Sequence, residues 1–187
     1  IQERQLSHPP LEFLFTVSEE QGLMGAKQFD FSRLQSKIAY VLDDNNDPGT
    51  IVIKSPCQNE IEYIVQGRAA HAGMNPEEGI NAIHLAAMAL AKMPCGRIDD
   101  ETTCNFGTIE GGLARNIVAP ECRIRGEARS RSRKKLDSIT SSLKDSFINE
   151  IEKLGGRAEV KIDFLYPEIA LQPEEEVVQP ALRASHQ

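Results

Sequence analysis

The 187-residue sequence contains no Trp and only three Tyr, and aromatic residues make up 5% of it. That scarcity leaves few rings on which bases could stack, and the formal charge of -7 opposes attraction to nucleic acid or to an anionic membrane. The four cysteines, Cys57, Cys95, Cys104 and Cys122, form neither a CxxC pair nor a Cys/His cluster, so they read as free thiols in a reducing compartment. A cytoplasmic location is the expectation that follows. No apolar run is long enough to span a bilayer, and no glycine cluster carries the Lys-Ser/Thr ending of a phosphate-binding loop. What is present, 40% hydrophobic and 26% charged residues, is globular composition with material for a core.

Three stretches carry chemistry. The apolar run Leu11 to Val17 reads as a buried strand, and Glu19 and Glu20 follow it directly, ahead of a short helix over Gly22 to Phe29. Paired acids there are either a solvated helix start that favours the dipole, or a division of labour in which one carboxylate binds a cation and its neighbour acts as general base. Asp43 ends a second short apolar run, Ile38 to Leu42, just before the turn signal DDNNDPG. Ligands of open α/β sheets collect beyond the carboxyl ends of strands. In the second stretch, AAHAGMNPEEG, small residues flank His71 and leave its imidazole accessible. It is either an ordinary surface His or a donor to a developing oxyanion. In the third, NFGTIEGGLARNIVAP, the Gly111-Gly112 pair makes a loop beside Arg115 and Asn116, whose donors suit a carbonyl or carboxylate. The alternating Arg123, Arg125, Arg129, Arg131 and Arg133 read as a solvated edge with internal ion pairs in preference to a phosphate-binding stripe.

From residue 58 onward the pattern changes. Strands are expected over Glu60 to Ala69, Thr102 to Ile109, Glu121 to Arg129 and Ala158 to Leu165, and helices over Gly79 to Met93 and Arg133 to Leu154, the second stopped by Gly155-Gly156. The order β-α-β-β-α-β predicts an α+β fold: a ferredoxin-like, four-stranded antiparallel sheet with two helices on one face, over 58–166. It would be flanked by partial α/β segments at 1–57 and 167–187.

The ordered segments TVSEEQGLMGAK, YVLDDN, GRAAHAGMNPEEGINAI, GRIDDETTCNFGTIEGGLARNIVAP and GEARSRSRKKL, which cover almost the whole chain, resemble the peptidase T-like branch of the di-zinc aminoacylase and carboxypeptidase metallopeptidases. The resemblance implies a zinc exopeptidase that cleaves an amino acid from short peptides, with two zinc ions for which cobalt or manganese could stand in. It makes Glu19 the general base, Glu20 and Asp43 ligands of one metal each, and His71 a lid residue reaching the partner subunit's active site. It makes Asn116 and Arg129 substrate-binding, and 58–166 a lid through which a homodimer forms. The family also uses a His-x-Asp motif, a bridging Asp and a downstream His; His8 and His186 do not supply these. The chain is therefore expected to be an internal segment without an intact di-metal site, inactive alone. The alternatives from other classes are a non-catalytic self-association or ligand-binding α+β module and, more remotely, a nucleic-acid-binding module.

Overall fold

The computed structural model describes residues 7–20, 22–43 and 45–185; Asp44 and His186 lie outside the described residues. In chain order its elements are α1 (Met24–Gln28), a 3-10 turn (Phe31–Arg33), β1 (Lys54–Ser55), β2 (Cys57–Gln66), a second 3-10 turn (Pro76–Glu78), α2 (Ala82–Leu90), β3 (Gly96–Asp99), β4 (Thr102–Gly111), β5 (Glu121–Ser130), α3 (Arg133–Lys153), β6 (Arg157–Tyr166), β7 (Ile169–Ala170) and α4 (Val178–Ser185). The chain divides into two compact units, Ile1–Ile51 with Gln172–Gln187, and Val52–Leu171.

The second unit is built on an antiparallel sheet of order β3-β4-β5-β2-β6. Odd-numbered residues of β2 face one side, so Ile61, Tyr63 and Val65 are buried while Glu60 is exposed. The ladder sets Tyr63 opposite Ile124 of β5 and Val160 of β6. Onto this face α3 lays Leu136, Leu143, Phe147 and Ile151, spaced at helical intervals and at most 2% exposed. Phe147 meets the Tyr63 ring at 4.7 Å between centroids, and Phe106 meets the other side at 5.7 Å. The buried face of α2 is nearly all alanine (Ala82, Ala86, Ala89), which lets that helix lie close to the sheet. The chain enters and leaves the unit through the two-stranded ribbon β1-β7, with Lys54 opposite Ala170.

Local signals explain the boundaries of α3. The Ser132 hydroxyl accepts from Lys135 N at 3.4 Å, and Arg133 pairs with Asp137 at 2.8 Å one turn on. At the other end Gly155 takes φ +80°, Gly155 N donates to Glu152 O and Gly156 N to Ile151 O, both at 3.0 Å, closing the helix with the paired bonds that a left-handed glycine allows.

The mixed α+β architecture and its β-α-β-β-α-β order match the expectation, with three differences. A fifth strand, β3, lines the β4 edge; its sequence GRID is short and polar, and Gly96 opens it at φ +86°. The helix expected from Gly79 starts at Ala82, because Asn81 caps it by accepting His84 N at 3.1 Å and the residues before it form the 3-10 turn. Leu11 to Val17 and Ile38 to Leu42 are extended but join no ladder among the described residues. Their apolar side chains are accordingly bare: Phe15 is 88% and Leu42 98% exposed. A strand of buried type needs neighbours on both sides, and the described residues of this unit provide none.

Candidate functional site

In the first unit the acidic pair sits on a tight turn. Ser18 adopts φ 56° and Leu23 φ 63°, left-handed conformations that cost a non-glycine residue about 1 kcal/mol each. The turn is closed by Gly25 N to Val17 O at 3.0 Å, Met24 N to Ser18 O at 3.2 Å and Leu23 N to Glu19 O at 2.9 Å. Position 25 has to be glycine, since a Cβ there would lie 2.5 Å from Val17 O. Glu19 and Glu20 on this turn are both exposed, as is Asp43. Among the described residues no three His, Cys, Asp or Glu side chains form a group that could hold a metal ion. Glu20 and Asp43 therefore do not by themselves fit a metal.

In the second unit two loops are zipped together. Val118 N donates to Ala70 O at 2.9 Å, Ala72 N to Asn116 O at 3.0 Å, and His71 and Ile117 form the bridge between them. The sequence-predicted His71 and Asn116 thus emerge from two adjoining extended segments, and both are exposed. Gly67 and Gly79 make the close fit feasible: Gly67 N donates to Pro120 O at 2.8 Å, and a Cβ at Gly79 would press within 2.8 Å of the Val118 side chain. The His71 ring is oriented by its own loop. Its Nδ1 accepts the Gly73 N–H at 3.2 Å, which puts the proton of the neutral ring on Nε2, available to donate to an oxygen outside the loop. Asn116 is paired one position along, opposite Ala72, and among the described residues its carboxamide has no hydrogen-bond partner.

Arg129 lies on β5, on the sheet face away from the helices. Its Nε and Nη2 donate to Glu127 at 2.8 and 3.0 Å, and this carboxylate holds the guanidinium protonated more firmly than usual. Of the rest of the arginine stripe, Arg131 donates to the Asp100 carbonyl and the others have side-chain partners. Glu62 stands 3.7 Å from Arg123, 3.8 Å from Arg125 and 3.7 Å from Lys161, while Arg133 lies over the Phe164 ring at 3.8 Å. Ion pairing is what this face does with its charge. Sequence reasoning did not single out Glu127, Gln58 or Tyr166, which surround Arg129. The alternation of Glu127 with Arg129 was a usable signal for the first; the other two come from neighbouring strands. The thiols of Cys57, Cys104 and Cys122 are all pushed up by burial, which suits packing and not nucleophilic chemistry.

Comparisons with known proteins bear on the family and the fold. Residues 54–154, more than half of the chain, match the family described as the peptidase dimerisation domain. The structure superposes on that of aminopeptidase PepT from Bacillus cereus ATCC 10987 with TM-score 0.82 and 41% identity, over 99% of this chain and 50% of that one. For a tripeptidase of Staphylococcus aureus Mu50 the TM-score is 0.88 and the identity 37%, over 99% and 49%. An uncharacterised protein of Bacillus subtilis (strain 168) is 41% identical over 185 residues, 99% of this chain and 50% of that protein. The chain spans about half the length of these relatives. No helix among the described residues is long and apolar enough to cross a membrane.

Proposed function

This chain belongs to the M20 peptidases through their dimerisation domain, and on that premise we propose that the whole protein is a cytoplasmic, zinc-dependent exopeptidase that removes an amino acid from short peptides. Similarity over 99% of the chain to an aminopeptidase and a tripeptidase supports the substrate class. Glu19, exposed on its turn, takes the proton of the attacking water as general base. Glu20 and Asp43 would each give one carboxylate to one of two zinc ions, cobalt and manganese being alternatives, whose chemistry would be to polarise the carbonyl, and the remaining ligands would come from outside these residues. His71 of one copy reaches the active site of the other, donating Nε2–H to the scissile carbonyl as its oxygen gains charge. Asn116 and Arg129 hold other oxygens of the peptide. The observation that carries the reading is the His71 loop, where Gly73 N–H fixes the tautomer of an exposed ring so that Nε2 is the donor.

The test is hydrolysis of di- and tripeptides and of acylated amino acids by the full-length, zinc-loaded protein beside its Glu19→Ala variant. A loss of about 10²–10⁴ in kcat is expected for the variant; unchanged turnover would reject the general-base role. The Val52–Leu171 unit is the lid and the dimerisation platform, and homodimer formation is supported by the family match and by β6, which among the described residues pairs on one side only. Sedimentation over a wide concentration range checks this, with an exclusively monomeric chain rejecting dimerisation by this segment.

The second reading, a self-associating or ligand-binding module, is favoured for the chain alone because no group of three metal-ligating side chains forms among the described residues. Calorimetric titration of the 187-residue chain separates the two. No specific zinc uptake is expected, since unneutralised carboxylates without further ligands close no site; stoichiometric tight uptake would show a site complete within the chain.

A further inference from the structure

Arg129 is the end of a directed hydrogen-bond chain that crosses three strands. A bulge in the β2–β6 ladder, where Gln58 faces Tyr166 but Asn59 faces Phe164, brings the Tyr166 side chain to Gln58. The Tyr166 hydroxyl donates to Gln58 Oε1. With its oxygen so engaged, Gln58 turns Nε2 to Glu127 Oε2, at 2.9 Å. Gln58 is only 8% exposed, which confines its rotamer. Glu127 then accepts both Arg129 bonds, Nε on Oε1 and Nη2 on Oε2. Two parallel bonds to one carboxylate fix the plane of a guanidinium as well as its position. Arg129 Nη1 has no partner among the described residues.

We propose that Glu127, steered by Gln58 and Tyr166, is a positioning residue that sets the plane of Arg129 so that its Nη1 edge meets an oxygen acceptor of the bound peptide. The role rests on the peptidase reading above. A guanidinium on an exposed strand face, without such a chain, would sample many rotamers and lose that freedom on each binding event. Because Arg129 grips the peptide before and during reaction alike, its misplacement weakens binding more than turnover.

The experiment is steady-state kinetics of the full-length, zinc-loaded protein on a tripeptide, for Glu127→Gln, Tyr166→Phe, Arg129→Ala and the two pairings with Arg129→Ala. Glu127→Gln is expected to raise KM roughly 10-fold with a smaller change in kcat, and Tyr166→Phe, which removes one hydroxyl and leaves the packing, to raise KM about threefold. Neither should add anything once Arg129 is alanine. A KM within twofold of wild type in both single variants, or effects that multiply with that of Arg129→Ala, would overturn the proposal. If Glu127→Gln does not fold, Tyr166→Phe decides by the same criteria. Absence of turnover in the wild-type protein itself rejects the peptidase reading, and this role for Arg129 with it.

Discussion

Gly67→Ala is the sharpest perturbation of the zipped loops, because the structure leaves no room for one methyl group at that position. A Cβ there would overlap the Ile80 carbonyl oxygen and lie 3.0 Å from both Ala119 O and Ala82 N, all backbone atoms that no rotamer change can clear. The Ile80 carbonyl must retreat by roughly 1.5 Å to reach ordinary contact. That carbonyl accepts Arg68 N at 2.9 Å, and Ile80 N donates back to Arg68 O at 2.9 Å, so the retreat disrupts a reciprocal pair. Two bonds at about 1 kcal/mol each, with about 1–3 kcal/mol of overpacking, total about 3–5 kcal/mol. The lower entropy of the unfolded alanine chain returns about 0.4–1 kcal/mol, leaving about 2–4.6 kcal/mol. At a urea slope of about 2 kcal/mol/M, the midpoint of the Val52–Leu171 unit should fall by about 1–2 M. Hydrogen exchange localises the loss: amides of Arg68, Ile80, Ala72 and Val118 should exchange faster in the variant. Gly73→Ala is the internal control, since its methyl would meet only the His71 ring, at 3.7 Å, an ordinary contact. A Gly67→Ala midpoint within about 0.3 M of wild type, or equal effects at the two glycines, would refute the steric reasoning.

Phe147→Ala removes a fully buried ring packed at a tilt against Tyr63 and should cost the same unit about 3–5 kcal/mol in denaturant unfolding, far more than truncation of the exposed Leu113. Acid titration should loosen the β3–β4 hairpin. The Asp99 carboxyl is held below its ordinary range chiefly by the Glu101 N–H, with Lys135 helping, so its contribution is complete above the unfolded pKa of about 3.9 and is lost as pH falls through the lower folded value. Hairpin amide protection followed by NMR should show that loss, and Asp99→Asn should flatten it. Alkylation of the native protein should mark Cys95, the exposed thiol, well before Cys57, Cys104 and Cys122; equal rates by mass spectrometry would contradict the burial of the other three.

How much of this was legible in the sequence follows from the range of the forces involved. Phe147 and its helical repeats, the Gly155-Gly156 stop and the alternation of β5 are local patterns whose physics acts within a few residues, and the Val52–Leu171 unit could be read from them. The same reasoning misjudged Leu11 to Val17 and Ile38 to Leu42 because an apolar run reports a demand for burial and says nothing of whether a neighbouring strand is at hand to meet it. Glu19 and Glu20 stood out as a pair, but the turn that carries them contains a left-handed Ser18, a residue with no glycine-like preference to announce it.

The site in the second unit divides the same way. His71 and Asn116 were singled out from their small, accessible surroundings, yet they are separated by 45 positions and it is the Ala70–Val118 and Ala72–Asn116 bonds that make them neighbours. Arg129 shows the limit most clearly. Its bond to Glu127 is an i, i+2 relation on one strand face, which alternation predicts, but the Gln58–Glu127 contact depends on the β2–β5 register and the Tyr166–Gln58 contact on a bulge near the end of β6. A shift of that ladder by one residue would send Tyr166 to the opposite face and cut the chain behind Arg129 while leaving every local propensity intact. Register is therefore the level at which this unit acquires its polar chemistry: hydrophobic alternation selects it, and the polar chain on the other face of the sheet depends on the result.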